Sequence, residues 1–524
     1  MNQNVIAEAM SAPSFYPGPP HHVERIETHI SWVFIAGDNV YKVKKAVDFG
    51  FLDFTTLEKR RFYCGEEVRL NRRLAPQVYL GVVEIGLDRE GRIVLGAGET
   101  VLEYAVHMKK IPSEKMLKRL LPLPDFDPAI MGDIAKKLSR FHREAETGGR
   151  IDETGSIETV RHNHEENFSQ TEPYTGVTIS SPRHAFIRSF ARRFLDNHAD
   201  LFRKRVREHR IRDCHGDLHL EHIVISGDDI IIFDCIEFNE RFRYCDIAAE
   251  VSFLAMDLDF NGYASLSEQF VKSYVAESGD IEIPLLVHFY QCYYAFVRGK
   301  VTGFRLQEPR ISAEEGAVVT QTAATYFDLA FSYAARFRKP TLIAMAGLMG
   351  SGKSVVAREL ARITGAAVIR MDVIRKELHA LPPHERRLED FGQGIYSDGV
   401  TRLVYGKSLE RAKDLIESGK PVIIDASFKS KAHRRAAGDL ADSLKADFFV
   451  IECVCPDDYI RKRLLERIKD ENEASDGRME ILDAQKADFD AISEFPPSVH
   501  LVLDTSGKLD ESIDRIVAFM HGAG

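Results

Sequence analysis

The run Gly347-Leu348-Met349-Gly350-Ser351-Gly352-Lys353-Ser354 constrains this chain more than any other stretch. It satisfies G-x-x-x-x-G-K-[ST], directly follows the buried apolar run TLIAMA, and opens a helical pattern at Val355. In a strand–loop–helix unit the glycines let backbone N–H groups turn inward around phosphate oxygens, and the helix N-terminus adds partial positive charge. Gly347, Gly350, Ser351 and Gly352 supply the cradle. Lys353 is expected to reach the outer phosphates of a nucleotide, and the Ser354 hydroxyl to ligate Mg²⁺.

From Pro340 onward apolar runs alternate with helical stretches. Strands are expected at 341–346, 367–371, 421–425, 448–454 and 500–503, which predicts an α/β domain with a parallel sheet over 340–524. Asp372 falls at the carboxyl end of a strand beside the loop, where such sheets bind ligands. A carboxylate there can take the proton of an attacking hydroxyl, or simply cap a helix. Arg375, one turn on, shares its face and is a candidate clamp on acceptor or phosphate. Asp425 ends the apolar run VIID and is the candidate partner of Ser354 at the metal. Arg463 and Arg467 lie on a helix that leads into a polar stretch at 470–477. They read either as lid residues that neutralise transferred charge or as a solvated face.

The chain has 524 residues, so this domain leaves room for more. Residues 1–24, with prolines at 13, 17, 19 and 20, are expected to form an extended leader. Short strand-like runs dominate from 25 to about 110, and helical pattern from there to 338. A β-rich lobe followed by a helical lobe, residues 25–338, is the expected second domain. Lys+Arg 70 against Asp+Glu 80 gives a net charge of −10, which supplies no global attraction for polyanions. The seven cysteines are scattered without paired metal-site spacing, there is no signal-peptide pattern, and no run is long enough to span a membrane. A cytoplasmic location without membrane attachment is expected.

Within 25–338, Asp213-Cys214-His215-Gly216-Asp217 precedes a strand pair that ends in Ile232-Phe233-Asp234. An Asp after H-G and a second strand-end Asp 17 residues later match kinase-type chemistry. The first orients and deprotonates the acceptor, and the second binds the metal on the phosphates. The β-rich lobe should add a lysine on a strand and a glutamate on a helix. Lys42 and Lys44 share one strand face, and Lys42 is the favoured phosphate lysine with Lys44 as the alternative. Glu67 leads a stripe with Leu70, Asn71 and Leu74 at helical spacing.

The C-terminal domain resembles the AAA-type P-loop kinases related to polynucleotide 5′-hydroxyl kinase, zeta-type toxins and chloramphenicol phosphotransferase. The resemblance rests on GLMGSGKS, MDVIRKEL, VIIDASF and the RKRLLER–SDG lid. It implies transfer of a phosphoryl group from ATP to a hydroxyl, with Asp372 as base. Residues 25–338 resemble the aminoglycoside phosphotransferase family within the protein-kinase-like fold, sharply at HGDLHLEHI, IIIFDCIEF and DIAAE. This implies Asp217 as base, Asp234 as metal ligand and a structural role for Asp246. Two departures stand out. The catalytic loop of that family has Asn five residues after the base where this chain has His222, and no GxGxxG loop is present near Thr28–Ser31. Mg²⁺ prefers oxygen, so His222 is an unusual candidate second ligand.

Other signals are weaker. The basic run 203–212 reads as a solvated helix end or as a nucleic-acid contact, and His162 and His164 as exposed residues. Asp257 and Asp259 are candidates to face a cationic acceptor. The leading expectation is an ATP- and Mg²⁺-dependent protein with two phosphotransferase sites for small hydroxyl-bearing acceptors. The alternatives are a kinase regulated by a ligand-sensing kinase-like half, and a nucleic-acid 5′-hydroxyl kinase.

Overall fold

The computed structural model describes residues 2–96, 98–227, 229–308, 311–382, 385, 392–467 and 479–522. Their contacts separate two units, one of residues 1–173 with 191–326 and one of 174–190 with 327–524.

In the first unit, alternating apolar and polar residues build an antiparallel sheet from β1 (Val23–Glu27), β2 (Ser31–Ala36), β3 (Asn39–Lys44), β4 (Tyr79–Leu87), β5 (Ile93–Leu95) and β6 (Thr100–Lys109). The spatial order is β1-β2-β3-β6-β4-β5. Tyr41 and Val43 of β3 pack with Trp32, Phe34, Ile85 and Ala105 on one face. The period of two sends Lys42 and Lys44 to the other face, toward the helix Leu57–Asn71. That helix starts at Thr56, whose hydroxyl accepts from the Lys59 amide at 3.2 Å.

The first residues differ from the extended leader expected of them. Gln3–Met10 is a helix capped by Asn2, and Ile6, Ala7 and Met10 bury one face in the β-lobe core. The prolines all follow the last turn, so they end this helix without preventing it.

The helical lobe of this unit is organised around Ile247–Phe260, which is apolar and buried on nearly every side, as a central helix must be. Ahead of it come β7 (Ile211–Asp213), the hairpin β8 (Ile223–Ser226) and β9 (Asp229–Ile232), and β10 (Tyr244–Asp246), which pairs with β7. The two short pairings hold the segments carrying Asp217 and Asp234.

The second unit is a parallel sheet of β11 (Thr341–Ala346), β12 (Ala367–Arg370), β13 (Val422–Asp425), β14 (Asp447–Val454) and β15 (His500–Asp504), in the order β12-β13-β11-β14-β15. All six residues of β11 are buried, the pattern of a central strand covered on both faces. The chain crosses to β13 on one side of β11 and to β14 on the other, so the loop after β11 sits at the switch in strand order. Residues 174–190 join this unit, with Arg183 paired to Asp328 at 2.5 Å and Asp514 at 2.7 Å. No helix among the described residues is long and apolar enough to cross a membrane.

Candidate active sites

In the first unit Glu67 is fully buried and meets both lysines of β3. Its Oε1 lies 2.9 Å from Lys42 Nζ and its Oε2 2.7 Å from Lys44 Nζ. Beyond that shared carboxylate the lysines part. Lys42 reaches Asp234 Oδ1 at 2.9 Å, whereas Lys44 is completely enclosed and turns to Glu237. Burial opposes both ammonium charges, but the carboxylates outweigh it and raise both lysines above their ordinary range. Burial also pushes up the Asp234 carboxyl, yet Lys42 and His222 hold it well below the usual range. Glu237 is shifted the other way, upward, by its burial.

Asp234 has φ +64°, a left-handed backbone uncommon outside glycine. Two residues hold it there. Its amide donates to the Tyr79 hydroxyl at 3.2 Å, and the next amide, of Cys235, donates to Asn71 Oδ1 at 2.8 Å. Strain of this kind persists only where the surroundings over-determine it.

The loop carrying Asp217 is fixed from below. The His215 and Gly216 amides both donate to Glu250 Oε1, each at 2.7 Å, and the Leu220 amide donates to Asp257 Oδ2 at 2.9 Å. Gly216 has φ +86°, and a Cβ there would lie 2.9 Å from the Phe242 carbonyl oxygen, so glycine is required. Three imidazoles then order the loop, their tautomers assigned from their partners. His215 Nε2 donates to the Phe233 carbonyl at 2.9 Å while its Nδ1 accepts from the Asp217 amide at 3.3 Å. His219 Nδ1 accepts from the Glu221 amide at 3.3 Å, which leaves its Nε2–H toward Asp217 Oδ2 at 3.5 Å. His222 Nδ1 donates to the Asp217 carbonyl at 2.9 Å, and its Nε2 faces Asp234 Oδ2 at 3.6 Å. The Asp217 and Asp234 side chains stay 33% and 41% exposed, open to a ligand. Burial raises the Asp217 carboxyl, but His219 and the nearby His222 and Arg298 lower it to about 2, so it is ionised at neutral pH.

In the second unit Gly347, Gly350 and Gly352 have φ +130°, +73° and +86°. A Cβ on Gly347 would sit 2.3 Å from the Cys453 carbonyl oxygen of β14, and the buried Ser351 hydroxyl has no hydrogen-bond partner among the described residues. Lys353 begins the helix Lys353–Thr364 and donates from Nζ to the Leu348 carbonyl across its own loop at 2.7 Å. Asp425 is buried at the end of β13. Its carboxyl is raised by burial, while a hydrogen bond with Ser354 and the Lys353 charge oppose the rise and Asp372 adds to it. Lys353, Ser354 and Asp372 therefore all act on the Asp425 carboxyl. A hydroxyl and a carboxylate form an oxygen donor pair that fits Mg²⁺.

Arg375 departs from the clamp expected of it. It is buried, Nη1 donates to the Ile395 carbonyl at 2.7 Å, and the guanidinium sits 4.7 Å over the Tyr396 ring. Nη1 also donates to Thr401 Oγ1 at 3.3 Å, so Arg375 braces the 394–401 segment. Arg463 donates to the Thr505 carbonyl at 2.6 Å, and Thr505 in turn donates to the Ser351 carbonyl at 2.7 Å, so Arg463 borders the glycine loop through Thr505. The Arg467 side chain and the SDG stretch lie outside the described residues.

Two readings of weaker signals are corrected. The run 203–212 is not wholly solvated, since Arg205 is fully buried, with Nε 2.6 Å from Asp246 and Nη2 2.9 Å from Asp280. His164 is buried among Phe168, Phe289 and Tyr293, and burial lowers its pKa to about 3. The supports Glu237, Glu250 and His142 were not singled out as site residues. Glu237, the second acidic residue of the otherwise apolar run IIIFDCIEF, carries the one usable signal.

The family model described as "AAA domain" matches residues 342–492. Along nearly the whole chain the protein is similar to two uncharacterized proteins, of Mycobacterium tuberculosis and Mycobacterium bovis. Each is 30% identical over 489 residues, covering 93% of this chain and 93% of the relative. Among solved structures it is similar to a choline/ethanolamine kinase family protein from Mesorhizobium loti, with 12% identity, TM-score 0.35, and coverage of 62% of this chain and 98% of that one. It is also similar to a gluconokinase from Sinorhizobium meliloti, with 18% identity, TM-score 0.26, and coverage of 36% and 95%.

Proposed function

We propose, from the premise that this chain belongs to the same family as the full-length mycobacterial proteins, that it is an ATP-dependent phosphotransferase with two sites. The observation that carries the reading is the Lys42 ammonium, 2.9 Å from both Glu67 and Asp234, with the partly exposed Asp217 on the other side of His222. Lysine, glutamate and two aspartates arranged in this way bind phosphates and orient an acceptor.

At the first site Lys42 holds phosphate oxygens of ATP, and Asp217 orients an acceptor hydroxyl and takes its proton. The hydroxyl oxygen bonds to the γ-phosphorus, the bond from that phosphorus to the bridging oxygen breaks, and ADP leaves. At the second site the glycine loop and Lys353 cradle the phosphates and Asp372 plays the part of Asp217. Mg²⁺ on Ser354 and Asp425 would supply charge neutralisation there. The partly exposed carboxylates leave room for small hydroxylated acceptors. The buried Arg205 removes a central cation from the one basic run that suggested nucleic acid. Seven free cysteines suit a reducing compartment such as the cytoplasm.

The test is label transfer from γ-labelled ATP across a library of small alcohols and sugars, with Asp217→Ala, Lys353→Ala and the double variant. Each single variant should abolish a different labelled product and the double variant both. Unchanged products in all three variants would refute the assignment.

A further inference from the structure

Two acceptor atoms confront each other in the first site. His222 Nδ1 carries its proton to the Asp217 carbonyl at 2.9 Å, so Nε2 presents a bare lone pair. Across from it, 3.6 Å away, stands Asp234 Oδ2, while Oδ1 of the same carboxylate is held by Lys42 at 2.9 Å. Each group is thus tied at its far atom and free at its near one. That is how protein ligands are oriented toward a metal, by outer hydrogen bonds that fix the imidazole tautomer and the carboxylate rotation. Two ligands bound at about 2.1 Å and roughly perpendicular stand about 3 Å apart, so a small rotation of the imidazole closes the gap. His219 is set differently. Its Nδ1 takes the Glu221 amide and its Nε2–H points at Asp217, so it steadies the base and has no lone pair to offer.

An imidazole nitrogen with one carboxylate oxygen does not fit the all-oxygen preference of Mg²⁺, and it does suit a first-row transition ion. We propose that the first site selects a divalent transition-metal ion over Mg²⁺, held by His222 Nε2 and Asp234 Oδ2, with ATP phosphates and water completing its shell. This rests on the phosphotransferase reading for its nucleotide partner and adds the identity of its metal. The second site keeps its oxygen pair and its Mg²⁺, so the protein holds two metals of different preference.

The experiment uses full-length Lys353→Ala protein, which silences nucleotide binding at the glycine loop, with Mn²⁺ as the probe and a non-hydrolysable ATP analogue. Free Mn²⁺ is followed by electron paramagnetic resonance in competition with Mg²⁺, and pulsed spectra report any nitrogen coupled to the bound ion. The expected result is imidazole-nitrogen coupling that disappears when His222→Asn is added, with a fall of at least about tenfold in the Mn²⁺-over-Mg²⁺ preference. The proposal is overturned by absence of nitrogen coupling in the Lys353→Ala protein, or by an unchanged preference in folded His222→Asn protein. Should His222→Asn fail to fold, the coupling in Lys353→Ala alone decides. Label transfer separates this from the broader reading. Nitrogen coupling without transfer to any acceptor upholds the metal site and refutes the catalysis, and Mg²⁺-driven transfer without nitrogen coupling does the reverse.

Discussion

His142 Nε2 lies 2.6 Å from Glu250 Oε2, beneath the loop that carries Asp217. The other Glu250 oxygen accepts the amides of His215 and Gly216, so one buried pair sets the height of the Asp217 loop. Burial alone would lower the His142 pKa, but hydrogen bonds with Cys214 and Glu250 raise it from 6.5 to about 9. A group whose folded value is raised stabilises fully below its unfolded value and loses that contribution as pH climbs through the folded one. His142 therefore contributes of the order of 3 kcal/mol below pH 6.5, fading to nothing above about pH 9. Hydrogen exchange at the His215 and Gly216 amides, corrected for intrinsic base catalysis, should quicken across that window in wild type. In His142→Gln the exchange should be fast throughout and the pH trend should vanish. A wild-type trend that persists in the variant would place its cause elsewhere.

The two lysines of β3 should respond oppositely to removal. Lys42→Ala leaves Glu67 bonded to Lys44, so the unit stays folded, but the proposed phosphate contact goes. Transfer at the first site should fall about 10²–10³-fold. Lys44→Ala strands Glu237 in the interior and leaves Glu67 with Lys42 alone, and breaking such a buried pair costs about 3–5 kcal/mol. Urea unfolding followed alongside transfer distinguishes them, with Lys42→Ala losing rate at nearly unchanged midpoint and Lys44→Ala losing midpoint. Equal midpoints in the two variants would contradict the division of roles.

This division shows what sequence can and cannot say. Period-two alternation on β3 is enough to place Lys42 and Lys44 on one face, and helical spacing is enough to aim Glu67 at them. Which lysine faces the phosphates depends on Asp234 and Glu237, some 190 positions away, and no local pattern encodes such a pairing. The glycine loop was legible because its backbone angles admit little but glycine. The bracing contacts of Arg375 are not legible in the sequence, because its partners, Ile395 and Tyr396, follow a stretch with no periodicity to place them. Gln3–Met10 was missed because eight residues are too few to show a period beside four prolines.

Gly347→Ala should remove one nucleotide site and spare the other. The added methyl would approach the Cys453 carbonyl oxygen to 2.3 Å at φ +130°, so the loop must leave β14 to accommodate it. Equilibrium binding of a fluorescent ATP analogue should fall from two equivalents to one. Asp217-dependent transfer should persist at wild-type rate. Retention of two equivalents would mean the loop tolerates displacement and that its cradle is not the binding element.

Arg375 and Asp372 lie one turn apart on the helix Met371–Leu378, yet their substitutions should differ in kind. Asp372→Asn removes the group proposed to take the acceptor proton and should lower the turnover number at the second site by about 10²–10⁴-fold, with little change in stability. Arg375→Met removes the hydrogen bond to the Ile395 carbonyl and the stack on Tyr396, so the 394–401 segment loses its brace. A hydrogen bond from a charged donor contributes about 1.5–3 kcal/mol, and its loss should appear as faster proteolysis within that segment. Transfer should fall only in proportion to the loosened fraction. Limited proteolysis read against turnover decides the matter: an Arg375→Met protein as protease-resistant as wild type but catalytically dead would restore the guanidinium to the phosphates and remove it from the scaffold.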